Sequence, residues 1–139
     1  FNGIPRFDFD SGWVLPASFE PAAAGTSIPI TLVTRHVETH PIAGTLRFEV
    51  DGEACELLAE QAGDGLFVVF GDATNRDATY GGGRFLMVPG PDEDGRTRLD
   101  FNRSTNPPCA FTDFATCPTP PASNRLGFAV TAGERRPHP

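Results

Sequence analysis

Lysine is missing altogether, and all eleven basic residues are arginine. Schiff-base chemistry, a lysine general base and a phosphate-loop lysine are therefore excluded. Positive charge as a whole is scarce: the net charge is -7 and the pI is near 4.8. Nucleic-acid affinity is built from clustered Lys and Arg, so no nucleic-acid partner is expected. Long apolar runs are also lacking. No segment approaches the roughly 18 apolar residues of a membrane span, and no membrane partner is expected. Phe1 opens the chain without a Met, a basic stretch or an apolar stretch. A targeting segment has been cut away or was never there, and the expected location is cytoplasmic.

Uninterrupted windows are short as well, because 15 glycines and 14 prolines punctuate the 139 residues. Long helices are excluded almost everywhere, while twelve phenylalanines supply the bulk of a core. The expected fold is all-β, a single domain over residues 1–139. It reads as a β-barrel or two-layer β-sandwich, mostly antiparallel, with about eight or nine short strands and little helix.

Alternation places the strands. Phe7 and Phe9 alternate with charged residues, and Trp13, Leu15, Ala17 and Phe19 share one face of a second run in which Pro16 points to an edge. Ile28, Ile30 and Leu32 form a third run, with Pro29 again at an edge or a strand start. Between Thr45 and Ala59, Asp51-Gly52 reads as a two-residue turn of the primed type. That turn sets Val50 against Glu53, Phe48 against Cys55 and Leu46 against Leu57 on one face, with Arg47 against Glu56 on the other. Cys55 is then a buried thiol acting as a small hydrophobe. A helix from Glu53 to Ala62 is the rival, and the turn favours the strand.

Leu66 to Phe70 is apolar on both faces and reads as a central strand. Gly81, Gly82 and Gly83 lead into Phe85 to Val88; without a helix after them or a lysine, they mark a bulge or a close backbone crossing rather than a phosphate cradle. Pro89 to Gly95 is an acidic hairpin loop, after which Arg98 to Asn102 pairs most simply with Phe85 to Val88. Leu126, Phe128 and Val130 make one face of a last strand, and the tail Arg135 to Pro139 frays.

Two groups have metal-ligating residue types. His36, Glu38 and His40 would project from one face of a strand, as a two-histidine, one-carboxylate site requires. An exposed polar turn ending at Pro41 is the favoured alternative. Cys109 and Cys117 are too far apart for a zinc knuckle and have no third ligand nearby, though a disulfide between them would close the loop. No metal and no cofactor are expected.

The stretch Leu99 to Leu126 holds two of the three cysteines, five of the fourteen prolines and three of the five asparagines. A long segment that is neither helix nor strand is where a site usually sits on a scaffold. The motifs around it, Phe70-Gly71-Asp72-Ala73-Thr74, Gly83-Arg84-Phe85-Leu86, Asp100-Phe101-Asn102, Pro107-Pro108-Cys109-Ala110-Phe111, Cys117-Pro118, Pro120-Pro121, Asn124-Arg125-Leu126 and Ala132-Gly133-Glu134, closely resemble the DUF1684 family. The first half matches only through Phe1-Asn2-Gly3-Ile4 and Trp13-Val14-Leu15-Pro16-Ala17. The resemblance implies the C-terminal module of a longer architecture and a place for a site, not an activity. The family often has an aromatic where this chain has Thr105, and usually a glycine-containing turn where it has His36 to His40.

The motifs bring together Arg84, Asp100, Asn102, Asn106, Cys109, Cys117 and Asn124, with Asp72, Thr74, Tyr80 and Glu134 as neighbours. The structural reading is a buried Arg84 paired with Asp100 or Glu134 and asparagine amides that satisfy loop backbone. Of the functional readings, the first is binding of a small polar or anionic ligand through Arg84, Asp100, Asn102, Asn106, Cys109 and Asn124. A hydrolase using Asp100 or Cys109 is the second; its thiol would need a base, and His36, His40 and His138 lie in segments expected to be exposed or frayed. The third is a structural or interaction module that completes an N-terminal region.

Overall fold

The computed structural model describes residues 3–137. Eight strands form among them: β1 (Val14–Pro21), β2 (Ser27–Thr31), β3 (Val37–Pro41), β4 (Gly44–Val50), β5 (Glu53–Ala62), β6 (Gly65–Phe70), β7 (Arg84–Val88) and β8 (Arg96–Asp100). Helix is confined to short 3-10 turns. Six strands make one antiparallel sheet in the order β7-β6-β5-β4-β1-β8, and β2 and β3 make a second. The larger sheet curls into a half-barrel, so the all-β expectation holds in a form between the closed barrel and the sandwich.

The hairpin reads as expected. Asp51 and Gly52 both take positive φ, 52° and 80°, and the register pairs Val50 with Glu53, Phe48 with Cys55, Leu46 with Leu57 and Arg47 with Glu56. Turn geometry alone carried that register, because a primed turn matches the twist of the strands it joins. Arg47 Nη1 meets Glu56 Oε2 at 2.6 Å on the outer face. Cys55 is half-buried rather than buried, since it sits near the exposed turn end of the hairpin.

Leu46, Leu57, Val68, Leu86, Leu99 and Phe101 fill the concave face. Phe101 is the hub: its ring lies 5.4 Å from Phe70, 5.8 Å from Trp13 and 5.9 Å from Phe48, and the Phe70 and Trp13 contacts are edge-on. On the convex side, Ile28, Ile30 and Ile42 pack over Leu58, Phe67 and Val69. That second layer accounts for the two-sided apolar character of β6.

Several expectations are corrected. β8 pairs with β1 (Leu15 with Leu99) and β7 with β6 (Val68 with Leu86), so the two are not hairpin partners but opposite edges of the sheet. Curling brings those edges near each other, and Thr97 Oγ1 donates to Pro89 O at 2.6 Å. β1 is interior rather than an edge, although Pro16 lies in the part paired only with β8. Among the described residues no strand forms before Val14, and Phe9 is exposed. The expected last strand at Leu126 to Val130 also does not form: Leu126 N–H donates to Gly71 O and Phe128 O accepts from Ala73 N–H, while the backbone of Val130 is claimed by side chains described below. Arg135 and Arg136 are held by hydrogen bonds to Pro5 O and Ala78 O rather than frayed. His138 and Pro139 lie outside the described residues, as do Phe1 and Asn2.

The segment with His36, Glu38 and His40 is not a polar turn, since β3 begins at Val37. His36 hydrogen-bonds Thr34, whereas His40 sits between two carboxylates, Glu38 at 3.0 Å and Glu60 at 3.2 Å. Glu60 belongs to β5, so His40 links the small sheet to the large one. Its hydrogen bond to Glu38 raises its pKa above the usual histidine range, opposed by burial and reinforced by Glu60. A raised folded pKa contributes stability that is complete below the unfolded value, about 6.5, and is lost as pH rises through the folded value. His40→Gln is therefore expected to lower the melting temperature more at about pH 5.5 than at about pH 8.5. An equal loss at both pH values would remove the ion-pair account.

Candidate functional site

Arg84 opens β7 and is wholly buried. The preceding Gly83 has a φ of 92°, and a Cβ there would lie 2.7 Å from both Phe70 O and Pro120 Cγ. This is the close backbone crossing read from the glycine run. The guanidinium reaches across to a segment that has no strand partner: Nη1 donates to Ala132 O and to Glu134 O (3.4 Å), and Nη2 donates to Val130 O at 2.9 Å. It lies 5.2 Å over the Phe70 ring. Its counter-charge is Asp72, at 3.6 Å with a fully buried side chain, and not the carboxylates of Asp100 or Glu134. Burial lowers the Arg84 pKa from the usual arginine range, and Asp72 opposes that shift.

Asp72 follows β6 in the turn that closes it. Its carboxylate accepts from Val130 N at 2.6 Å, from Thr74 Oγ1 at 2.8 and 3.0 Å, and from Asn75 Nδ2 at 3.2 Å. Arg84 and Asp72 together thus supply the donors and acceptor that a neighbouring strand would otherwise give to the 130–134 segment. Gly133, with φ at 81°, is required beside them because a Cβ would stand 2.8 Å from Ser104 O.

The remaining predicted site residues divide into separate groups. Asn106 joins the Arg84 neighbourhood: its N–H donates to Glu134 Oε1 at 2.8 Å and its Nδ2 to Arg135 O at 2.9 Å, while Glu134 also meets Arg6 at 3.5 Å. Asp100 and Asn102 lie elsewhere. Asp100 Oδ1 accepts from the Asn102 backbone and amide at 3.0 and 2.9 Å, and Asn102 exchanges two hydrogen bonds with the Asp10 backbone. They cap the 3-10 turn Phe101–Arg103 and tie down the segment before β1.

Asn124 is buried in the 3-10 turn Ala122–Asn124. Its Oδ1 accepts from Leu58 N at 2.7 Å, and its Nδ2 donates to Leu58 O and Val69 O, each at 3.0 Å. β5 and β6 pair only from Glu60 to Ala62 with Gly65 to Phe67, so at Leu58 and Val69 they have parted. The amide fills the gap as a one-residue surrogate strand. Cys109 stands apart again, against Cys117 and Ala115, with no histidine bonded to it among the described residues.

The predicted residues therefore do not converge on one concavity. An open cleft of about 800 Å³ does lie immediately outside Asp72, walled by Gly71, Ala73, Asn75, Gly81, Gly82 and Thr119 and carrying Arg76, Arg125 and Tyr80. No carboxylate lies within ion-pair distance of Arg76 or Arg125 among the described residues. Burial, followed by the field of Cys109, Cys117 and Asp113, pushes the Tyr80 phenol above its usual range and keeps it a hydrogen-bond donor. Sequence reading passed over Arg76, which has Asp77 beside it, and left Arg125 as a motif letter; the available signal was confined to Arg125, a cationic side chain with no acidic residue near it in sequence.

The matching family model, described as a protein of unknown function (DUF1684), covers residues 1–135. The chain belongs to the DUF1684 family. A similar solved structure is the solution NMR structure of an uncharacterized protein of Haloarcula marismortui, 35% identical, with a TM-score of 0.77 over 97% of this chain and 77% of that one. No curated protein matches. In this DUF1684 chain the motif residues Asp72, Thr74, Arg84, Glu134 and Asn124 are mostly spent on backbone groups of their own fold. What the arrangement offers chemically at the surface is cationic and hydrogen-bond-donating. None of the described helical turns is long or apolar enough to cross a membrane.

Proposed function

We propose that this DUF1684 domain binds a small anionic molecule in the cleft outside Asp72, with Arg76 and Arg125 as its charged contacts and Tyr80 as a donor. The observation that carries this reading is the presence of two unpaired arginines on one open cleft of a protein whose net charge is -7. Arg6 and Arg47 have acidic partners at the surface; what sets Arg76 and Arg125 apart from the other arginines without one is that they share a single cleft. Gly81 and Gly82 let the Arg76 and Tyr80 side chains pack against the backbone at the cleft wall, where a Cβ at either position would collide with them. Arg84 and Asn124 serve this site by position, holding Asp72 and Gly71 at its wall; Asn124 O accepts from Gly71 N at 3.0 Å. In the same reading residues 1–139 act as one unit, a module of a longer architecture.

A thermal-shift titration with mono-, di- and tricarboxylates and with phosphate esters tests it. At least one class is expected to raise the melting temperature saturably, and Arg125→Gln or Arg76→Gln is expected to weaken that ligand about tenfold or more. No saturable shift with any member, or shifts that both variants retain in full, would overturn the reading.

A further inference from the structure

Cys109 and Cys117 are brought together by a loop whose flanks are held independently of their sulfurs. Cys109 lies half-buried in the 3-10 turn Pro108–Ala110, and Cys117 is 6% exposed. Cys109 N–H donates to Cys117 Sγ at 3.3 Å and Cys117 N–H donates to Cys109 Sγ at 3.2 Å. Both sulfurs therefore lie between the same two backbone amides. On one flank, Val33 N–H donates to Cys117 O and Thr119 N–H to Thr31 O, both at 2.9 Å; on the other, Phe111 N–H donates to Pro108 O at 3.0 Å. No group of three or more metal-ligating side chains occurs among the described residues, so the pair has no further ligand with which to build a zinc site.

Two adjoining thiols with neither a metal partner nor a histidine have one chemistry that needs no third residue. We propose that Cys109 and Cys117 form a thiol–disulfide exchange site for low-molecular-weight disulfides of the glutathione type. Cys109 is the more accessible of the two, and its thiolate attacks one sulfur of the incoming disulfide, forming a mixed disulfide and expelling one thiolate. Cys117 then attacks the Cys109 sulfur, closes the intramolecular disulfide and expels the second. Two protons leave the cysteines and end on the two released thiols, and two electrons pass from the cysteines to the external disulfide. The Cys109 N–H that faces the Cys117 sulfur favours the Cys117 thiolate as it appears. Burial pushes the Cys117 thiol up to about 11, so it stays protonated while the more accessible Cys109 makes the first attack. Because the flanking hydrogen bonds do not involve sulfur, the loop has no need to unfold in either direction. Cys55 donates instead to Glu53 O at 3.5 Å on β5, and it serves as an internal control.

Incubation of the folded full chain with oxidised glutathione, followed by acid quench, alkylation and peptide mass mapping, tests this. The peptide spanning 109–117 is expected to lose two hydrogens while Cys55 remains alkylatable, and excess reduced glutathione is expected to restore both thiols without a change in circular dichroism. Cys117→Ser is expected to stop at a glutathione adduct on Cys109, and Cys109→Ser to leave Cys117 unmodified over the same time. Two thiols that stay alkylatable in the wild-type chain, or a disulfide that excess reduced glutathione does not open, would overturn the proposal. An adduct on Cys117 in Cys109→Ser forming as fast as that on Cys109 would overturn the order of attack. The wild-type measurement decides by itself should either variant fail to fold.

Discussion

Arg84→Met is expected to destabilise the protein by about 3–5 kcal/mol, enough to unfold a marginally stable domain. The side chain is fully buried, and its loss strands the Asp72 carboxylate without a counter-charge and leaves Val130 O, Ala132 O and Glu134 O without their donor. Methionine fills much of the volume, so the loss reports on the polar contacts rather than on a cavity. Arg84→Lys retains the charge, but a point ammonium cannot span carbonyls two residues apart as a planar guanidinium does; an intermediate loss is expected. Urea denaturation of both variants provides the measurement. A Met variant that unfolds at the wild-type midpoint yet no longer responds to the cleft ligand would make Arg84 a binding residue and sink the structural account.

Asn124→Leu should cost about 2–4 kcal/mol through three backbone groups left unpaired together. The amide satisfies Leu58 N, Leu58 O and Val69 O at the point where β5 and β6 diverge, and a leucine satisfies none of them. Asn124→Asp is the sharper control. A carboxylate still accepts from Leu58 N but cannot donate to the two carbonyls, which it also repels, so the isosteric change is expected to be nearly as damaging. Faster amide hydrogen exchange at Leu58 should accompany the loss of stability. Full stability in both variants would show that solvent reaches the gap and that the surrogate-strand description is wrong.

These two residues also show how far the sequence could be read. Arg84 and Asn124 stood out because of the motifs around them, and the structural reading of a buried arginine with asparagines that satisfy backbone proved right in kind. The partner was misassigned. Asp100 and Glu134 were the expected counter-charges, whereas Asp72 takes that role. Asp100 turned out to be a local cap for Asn102, which its spacing of two residues already permitted. The last strand was read from the apolar alternation of Leu126, Phe128 and Val130, and Val130 is indeed buried. Alternation reports which side chains face the core, but not whether the backbone between them finds a strand or a guanidinium.

What the sequence determined by itself was local or compositional. Short punctuated windows with alternating apolar residues dictate an all-β chain, the Asp51-Gly52 turn dictates its hairpin register, and the lack of lysine and the acidic balance narrow the chemistry. What only the tertiary structure decided was non-local. Arg84 meets carbonyls 46, 48 and 50 residues further along the chain, and Asn124 bridges strands 66 and 55 residues before it. The strand order, which sends β7 and β8 to opposite edges of a sheet packed around Phe101, is likewise non-local and follows from no single turn. A side chain's own sequence neighbourhood carries its polarity and reach, but the group it satisfies is chosen by whichever backbone the closed core leaves unpaired.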